Sequence, residues 1–502
     1  MTAEDGFWSN LPSVILMEIF SYLSRADKIN ASSACKNWRS ALYHPSFWQS
    51  IHFKAKTKDQ SSVSRTRYLT SCFAKNLRSA TISFDSMDQM CVKEAARVLQ
   101  KLCDNENLRR LYLIPSHCRF ECPGRGDDRK NFIEKNVMKS LQTLVQRSRR
   151  LEALSLGCSE DLACYSGPVL SLLSQHQSGS LRCLKMASVK DDPDDYLLSD
   201  LDPTLFRSFK MLQVLSLDYD YVNDNLLNVL GDIGLVSFII HVHGIEDTHP
   251  GTTNAAWNSF AQRSPRCELQ LTLIHSYDAI EVLHSDILKP KMPLTHLKAF
   301  FCEQLNFRAL QYISSWYVNS LRSLWLVDSI QSPSCHCLVS MSLDGPAPPD
   351  PLVMIAWQCT KLEELVLIGY KYYDQYLIAI ARLRGETLQR LDIAAQDILF
   401  ESELLHSGSL QLEVSEAIGK SWTPLADSEL HDVIHNPTAG DSDEFILPLL
   451  LQEPVPYSHD ASKIQLLREK KVSVERARSD EEKRLSHFIF RKNVGRICDS
   501  RR

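Results

Sequence analysis

The chain has 502 residues and a formal net charge of −5, with 44% hydrophobic and 23% charged residues. This balance is that of an ordinary globular protein with roughly two to four domains. The charge excludes a global basic field for nucleic acid or anionic membrane, and no apolar run approaches the roughly 20 residues that span a bilayer. The 15 cysteines are scattered and odd in number, which favours reduced thiols in the cytoplasm or nucleus.

The first apolar stretch, LPSVILMEIFSYL at 11–23, predicts a short helix and not a secretion signal. Glu4 and Asp5 precede it where a signal carries basic residues, and Glu18 interrupts it. Its apolar side chains fall on two adjacent helix faces, with Ile15, Ile19 and Tyr22 on one and Leu16, Phe20 and Leu23 on the other. A block this small cannot bury both faces, so one should serve its own core and the other a partner. The sequence leaves open which face turns outward.

Two further short helices are expected before residue 55. Ser24 with Asp27 three positions later predicts a capped start for the second helix, which runs to Leu42. Cys35 lies within this helix on its apolar face, where a buried structural thiol is the expected role. The stretch HPSFWQSI at 44–51 predicts the third helix. Together these elements predict a small bundle with an exposed surface of leucine and aromatic side chains.

The segment from Leu11 to Trp48 resembles an F-box. The family pattern of Leu-Pro, Ile-Phe-x-x-Leu, Asp, Cys-x-x-Trp and a final aromatic pair is matched by Leu11, Pro12, Ile19, Phe20, Leu23, Asp27, Cys35, Trp38, Phe47 and Trp48. Val14 departs from it where Glu is usual, and Ala34 where Val is common. In that family the block docks on a Skp-type linker subunit, which binds a cullin–RING ubiquitin ligase. The resemblance implies linker contacts from Leu11, Pro12, Leu16, Ile19, Phe20, Leu23, Asp27, Cys35, Trp38 and Trp48.

From about residue 65 to 400 the pattern L-x-x-L-x-L, or a near variant of it, recurs at irregular steps. It starts at residues 77, 108, 151, 181, 212, 235, 294, 321, 362 and 388. The alternating leucines place two side chains on one face of a short strand. Helical segments lie between them at 98–103, 136–146, 224–234, 351–359 and 375–385. Strand and helix in repetition predict a leucine-rich-repeat solenoid, with an ordinary α/β domain of parallel leucine-rich strands as the alternative.

The remaining segments complete the domain prediction. Two inserts, 241–260 and 331–350, carry turn formers and little periodicity, and 410–425 predicts one packed helix. Residues 461–502 are highly charged with a basic excess, typical of a solvated tail; a helix that touches RNA, an acidic partner or an import receptor is the alternative. The predicted fold class is α/β, with a three-helix F-box at 1–55, an irregular leucine-rich-repeat solenoid at 65–400, a packed helix at 401–435, and a linker and charged, partly disordered tail at 436–502.

No pattern in the sequence predicts catalysis, a metal or a cofactor. The clusters HCRFEC at 117–122 and CHC at 335–337 lack the paired spacing of zinc ligands. The HVH at 241–243 alternates on a strand-like stretch, so both rings could face one way, and a core or rim role for one of them is favoured over metal ligation. CPGRGDDR at 122–129 has two glycines without phosphate-loop spacing. The expected protein is therefore non-catalytic and needs no cofactor.

An F-box followed by leucine-rich repeats is a known arrangement in which the repeats recruit a protein substrate. The segment 350–393 resembles one such protein in DPLV, CTKL and LIAIARLRG. The resemblance implies a substrate-recognition subunit of an SCF-type ubiquitin ligase that promotes ubiquitination and proteasomal degradation, without membrane or nucleic-acid partners. The alternatives are a non-ligase repeat scaffold and an RNA-binding protein using the basic tail. Candidate substrate contacts, each of which could instead pack between repeats, are Tyr219, Tyr221, Trp257, Trp316, Trp325 and Tyr370.

Overall fold

The computed structural model describes residues 8–124, 127–245, 248–330, 349–400, 407–435 and 442–451. They form two compact units: unit 1 holds the described residues up to Tyr112 together with those of 121–151, and unit 2 holds Leu113–Phe120 and the described residues from Glu152 to Leu451. Most of the second predicted insert, with its CHC at 335–337, and the basic tail at 461–502 lie outside the described residues. No described helix is long and apolar enough to cross a bilayer.

Unit 1 begins with three short helices and continues with alternating strands and helices. Its elements are α1 (Ser13–Tyr22), α2 (Arg25–Ser32), α3 (Lys36–Leu42), a 3₁₀ turn (Pro45–Trp48), β1 (Ser50–Ala55), α4 (Gln60–Phe73), a 3₁₀ turn (Ala74–Asn76), β2 (Ser79–Phe84), α5 (Gln89–Leu102), the first half of β3 (Arg110–Pro115), α6 (Asp127–Phe132), a π-helical segment (Ile133–Met138) and α7 (Lys139–Arg147). Strands β1 and β2 pair in parallel, and β3 follows β2 in the strand order.

The second predicted helix is two helices in the structure, and Cys35 starts the second of them. The Ser32 hydroxyl donates to the Ile29 carbonyl at 2.7 Å, a local bond that competes with continued helix. Cys35 then adopts an extended conformation, and its sulfur accepts a hydrogen bond from the Trp38 N–H at 3.5 Å. The expectation of a buried mid-helix cysteine is therefore wrong, because Cys35 is a half-buried N-cap.

The other two helix starts differ in how closely they follow the prediction. The Ser24 hydroxyl accepts from the Asp27 N–H at 3.1 Å, as the capping pattern predicts. The third helix, predicted over 44–51, is a single 3₁₀ turn, because Ser50 already begins strand β1. The N-terminal block thus ends in a strand that leads directly into the repeats of unit 1.

Unit 2 consists of the later repeats and the C-terminal helices. Its elements are β4 (Ala153–Ser155), α8 (Glu160–Ala163), α9 (Ser166–His176), β5 (Cys183–Lys185), a 3₁₀ turn (Pro203–Ser208), β6 (Val214–Asp218), a 3₁₀ turn (Tyr219–Tyr221), α10 (Asp224–Gly231), β7 (Ser237–Val242), α11 (Asn254–Arg263), β8 (Glu268–Ile274), α12 (Tyr277–Glu281), a π-helical segment (Leu283–Ile287), β9 (Leu294–Phe300), α13 (Phe307–Trp316), β10 (Ser323–Val327), α14 (Pro351–Gln358), β11 (Glu364–Ile368), β12 (Tyr372–Tyr373), α15 (Asp374–Arg384), β13 (Arg390–Ile393), a 3₁₀ turn (Ala395–Asp397), β14 (Ile398–Leu399), α16 (Ser407–Ile418), a 3₁₀ turn (Asp427–Glu429), α17 (Asp432–His435) and α18 (Asp443–Leu450).

The strand pairing confirms the predicted fold class. In unit 2 each strand from β5 to β11 pairs in parallel with the strand before it, and β13 pairs in parallel with β11, while β12 and β14 form a separate small pair. All ten predicted motif positions coincide with strands of the two units. Their leucines form the core, as in the motif at 362, where Leu362, Leu365 and Leu367 are fully buried.

The stretch 241–260 is not an insert, because it contains the end of β7 and the start of α11. Trp257 within it is fully buried and donates its indole N–H to the Thr252 hydroxyl at 3.0 Å. The next repeat, which contains β8, does not match the L-x-x-L-x-L motif. Its strand leucines are buried, but Arg266 occupies the position of the first motif leucine. A complete repeat unit therefore lies where the sequence pattern suggested an interruption.

The C-terminal part of unit 2 is more extensively packed than expected. Helix α16 ends at Ile418, where Gly419 takes a positive φ of 68°, so 410–425 is not one continuous helix. Residues 442–451, assigned above to a linker, form α18 and enter a hydrophobic cluster around Phe300. A carboxylate oxygen of Asp443 accepts from the Cys118 N–H at 2.6 Å. This helix closes the core beyond the carboxyl ends of the strands.

Candidate partner-binding surface

One face of α1 serves the core of the N-terminal block. Leu16 and Phe20 are 0% exposed. The Phe20 ring lies edge-on to Trp38 with centroids 5.9 Å apart, and its centroid is 6.0 Å from that of Phe47. The two aromatic residues come from α3 and the following turn, so the Leu16–Phe20 face holds the three helices together. These contacts show that the Leu16–Phe20 face of α1 turns inward.

The adjacent face of α1 is an exposed apolar surface. Val14 is 73% exposed, Ile15 48% and Tyr22 80%, and Ile19 is half-buried beside them. The Tyr22 hydroxyl donates to a Glu18 carboxylate oxygen at 2.8 Å, and this bond raises the pKa of Tyr22. Several large apolar side chains exposed together on one short helix make this face a candidate interaction surface. We call Val14, Ile15, Ile19 and Tyr22 the outer face.

Polar bonds fix the segment that precedes α1. The Asn37 side-chain amide donates to the carbonyls of Ser9 at 3.1 Å and Leu11 at 2.8 Å. The Trp38 indole N–H donates to the Trp8 carbonyl at 2.8 Å. These bonds hold the segment before α1 against α3. The position of α1, and with it that of the outer face, is therefore fixed.

Trp48 belongs to the interior of unit 1. Its indole N–H donates to the Leu42 carbonyl at 2.6 Å, and its ring stacks on Phe73 of α4 with centroids 4.5 Å apart. The side chain is almost fully buried. Trp48 therefore fastens the N-terminal block to the first repeat helix and offers no surface to a partner.

The residues expected to contact a linker subunit differ in how far they are exposed to solvent. Four are buried, namely Leu11, Leu16, Phe20 and Trp48, while Ile19, Leu23, Cys35 and Trp38 are half-buried and Pro12 and Asp27 are exposed. The expectation that Leu16 and Phe20 face a partner is at odds with their contacts, because they form the block's core. The expected set omitted Val14, Ile15 and Tyr22, although helical spacing had already placed Ile15, Ile19 and Tyr22 on one face.

The candidate substrate contacts on the repeats are mostly inside unit 2. Tyr219, Trp257, Trp325 and Tyr370 are buried, so the expectation that they are exposed is wrong. The Tyr370 hydroxyl donates to Asp328 at 3.2 Å. Burial removes these four from any surface that a substrate reaches without a change of conformation.

Two of the candidates keep part of their surface. Tyr221 is half-buried, and its hydroxyl accepts from the Ser199 N–H at 3.1 Å. Trp316 is half-buried and stacks on exposed Tyr312, with centroids 4.5 Å apart and planes 2° from parallel. Tyr221 and Trp316 are therefore the two predicted contacts that stay partly accessible, and Tyr312, which was not predicted, extends the aromatic surface beside Trp316.

The HVH segment faces a buried polar network. His241 and His243 each place a ring nitrogen on the Ser188 carbonyl, at 2.8 and 3.1 Å. Asp218 accepts from the Ser188 N–H and hydroxyl and pairs with Lys190, whose Nζ lies 3.1 Å away. Across the described ranges, no group of three or more His, Cys, Asp and Glu side chains is arranged to hold a metal ion. Both histidines are buried, whereas the sequence pattern predicts a core or rim role for one of them.

Acid is expected to destabilise unit 2 through His243. Burial lowers its pKa to about 3 from an ordinary value of 6.5. The unfolded chain therefore binds the proton first, and stability present above pH 6.5 is lost as the pH falls toward 3. Urea unfolding at pH 7 and pH 5 measures this loss. His243→Gln should lose less stability between the two pH values than the unchanged chain, and equal losses would contradict the assignment.

Comparison with known proteins defines the class to which this architecture corresponds. The F-box-like family model matches residues 8–54, so the chain carries an F-box-like domain followed by leucine-rich-repeat-like strands and helices. Among whole proteins, it is similar to human F-box only protein 33, at 23% identity over 488 residues covering 86% of this chain and 85% of that protein. This is the protein that segment 350–393 resembles.

Two further similarities concern other repeat proteins. Bovine F-box/LRR-repeat protein 21 is 24% identical over 426 residues, with 83% of this chain and 89% of that protein covered. The solved structure of the yeast Rad7 and Elc1 complex contains a chain 16% identical, at a TM-score of 0.39, covering 79% of this chain and 90% of that one. Over most of its length the chain is thus similar to curated F-box proteins.

Proposed function

We propose that this protein is a substrate-recognition subunit of an SCF-type ubiquitin ligase that acts without chemistry of its own. The observation that supports this most is the outer face of α1, an exposed apolar surface within the F-box-like domain. In F-box proteins this block docks on a Skp-type linker subunit. The linker would cover Val14, Ile15 and Tyr22, while Leu16 and Phe20 keep the block folded.

The repeats would hold the protein substrate. Tethering a substrate to a ligase raises the local concentration of its lysines near the conjugating enzyme, and this proximity is the adaptor's contribution to the rate. Ubiquitination followed by proteasomal degradation is the expected outcome. We place the protein in the cytoplasm or nucleus, because its cysteine usage suits a reducing compartment.

The outer face can be tested by co-purification from cells. The double variant Ile15→Arg, Tyr22→Arg should reduce recovery of the linker subunit and the cullin by at least about tenfold, since two exposed apolar anchors are lost. Neither side chain is in the core, so the thermal unfolding midpoint should stay unchanged. Leu412→Arg, on an equally exposed leucine of α16, is the matched control and should bind normally.

Two outcomes would count against this proposal. Unchanged linker recovery by the folded double variant would mean that the interface lies elsewhere. Recovery of the linker without any cullin from the unchanged chain would instead support a non-ligase scaffold.

A further inference from the structure

Four consecutive strands of unit 2, β8 to β11, carry a row of apolar side chains near their carboxyl ends. Strand pairing places Ile274 beside Phe300, Phe300 beside Val327, and Val327 beside Ile368. All four are fully buried. Because successive side chains of a strand alternate between its two faces, this row lies opposite the leucines that form the core of the repeats. We call these four side chains the apolar row.

The chain's own C-terminal helix covers the apolar row. Phe445, Ile446 and Leu447 of α18 are buried in the hydrophobic cluster that contains the row. The Phe445 ring stands edge-on to Phe300 and Phe301, with ring centroids 6.2 and 6.1 Å away. A helix that inserts apolar side chains between those of a hydrophobic surface is a recurring mode of peptide recognition.

Two polar contacts fix the start of α18 on this surface. A carboxylate oxygen of Asp443 accepts from the Cys118 N–H at 2.6 Å, and Nε2 of His275 lies 2.8 Å from the Ser442 hydroxyl oxygen. The His275 ring also stacks on Phe301, with centroids 5.6 Å apart and planes 16° from parallel. The surface therefore holds a helix whose first residue is acidic and whose third residue carries an aromatic ring.

The backbone beneath α18 is strained at two of the residues that touch it. His275 and Phe301 take positive φ angles of 50° and 53°. This left-handed conformation is unfavourable for a residue that has a Cβ atom. Strain of this kind persists where surrounding packing maintains it, and it clusters at ligand clamps and switch regions. The strain thus adds a second feature of a binding surface to the apolar row.

Helix α18 has the properties of a segment that depends on this surface for its structure. It has eight residues, whereas an isolated helix shorter than roughly 12 residues is marginal in water. Pro448 lies inside it and has no N–H to donate to the helix. Its burial on the apolar row therefore stabilises it, as binding stabilises a peptide that folds on its partner.

We propose that the apolar row is a docking surface for a short amphipathic helix of a partner protein, and that α18 is its internal occupant. The partner helix carries an acidic residue and, two positions later, a phenylalanine followed by two large aliphatic residues, because α18 presents these side chains to the surface. Its binding displaces α18. The inference does not rest on the ligase proposal, since the apolar row shares no residue with the outer face of α1.

Hydrogen exchange in the unchanged full chain tests whether α18 leaves the apolar row. The amides of α18 should exchange at least about tenfold faster than those of β9, β10 and β11, because the helix opens while the sheet stays folded. Equal protection of the helix and these strands would show that α18 is a fixed part of the core, and would overturn the proposal.

Fluorescence anisotropy with a labelled synthetic peptide of residues 440–452 tests the competition between two occupants. Phe445→Ala in the full chain should raise the affinity for this peptide at least about tenfold, because the chain's own helix then occupies the surface less often. A second peptide, which keeps only the residue types at 443 and 445–447 among alanine and glutamine, should bind equally well. Glu444→Ala is the matched control, since it changes an exposed side chain of the same helix and should leave the affinity unaltered.

Three results of this experiment would contradict the proposal. One is a folded Phe445→Ala chain that binds the peptide no more tightly than the unchanged chain does. Another is failure of Phe445→Ala to fold, which would make α18 part of the core. The third is a dimer of the unchanged chain that Phe445→Ala abolishes, which would make a second copy the occupant. Ile15→Arg should leave peptide binding unaltered, which separates this test from the linker test.

Discussion

Replacing Asp218 with alanine is expected to lower the free energy of unfolding of unit 2 by about 3–5 kcal/mol. Asp218 and Lys190 are each 1% exposed and lie 3.1 Å apart, so the variant leaves a lysine charge buried without its carboxylate. Burial opposes ionisation of Asp218, but Lys190 and the Ser188 hydrogen bonds more than compensate and lower its pKa. The variant also removes the acceptor for the Ser188 N–H and hydroxyl.

Chemical denaturation followed by circular dichroism measures this effect. The double variant Asp218→Leu, Lys190→Met removes both charges and should be less destabilised than Asp218→Ala alone, because no unpaired charge remains. The control is Asp232→Ala, which breaks an ion pair with Arg263. The Asp232 side chain is 66% exposed, so this variant should change the free energy of unfolding only slightly. A loss at Asp218 no larger than at Asp232 would show that the buried pair does not stabilise the unit.

The repeats were predictable because each strand carries its own local signal. The L-x-L alternation requires neighbours two positions apart, and ten such motifs coincide with strands. Strand β8 was missed because its repeat keeps the alternating leucines but has Arg266 in place of the first one. Buried Cys267 lies next to that position. A search for the full L-x-x-L-x-L motif therefore misses the repeat that contains β8.

The orientation of α1 could not be predicted from its own residues. Helical periodicity places apolar residues on two adjacent faces but does not say which one meets the rest of the block. That choice depends on Trp38 and Phe47, which lie well after α1 in the chain and pack on Phe20. The ordered motif identified the domain, but the three-dimensional contacts were needed to separate its core from its surface.

Large aromatic side chains were poor guides to a substrate surface. Their size gives them much apolar area to bury, and neighbouring repeats cover Trp257 and Tyr370 completely. The C-terminal helix was equally hard to foresee, since the bond from Cys118 to Asp443 joins residues 325 positions apart. Contacts between residues so far apart in the chain produce no periodic pattern in a single sequence.

Replacing Phe20 with alanine is expected to destabilise the F-box-like domain by about 3–5 kcal/mol, the usual cost of emptying the space of a buried phenylalanine. The ring is fully buried and contacts Trp38 and Phe47, so its removal weakens the packing of α1 against the rest of the block. A loss of this size is a large part of the stability of a small domain. Linker binding should disappear with the fold, and thermal unfolding followed by tryptophan fluorescence measures the change.

Comparing Phe20→Ala with Ile15→Ala separates the two roles that α1 combines. Ile15 is 48% exposed, so its truncation should change the unfolding free energy by no more than about 0.5 kcal/mol. If the outer face is the docking surface, Ile15→Ala nevertheless weakens linker binding while the domain stays folded. If Phe20→Ala instead remained folded and lost only the linker, Phe20 would be a contact residue, and the inward orientation of that face would be wrong.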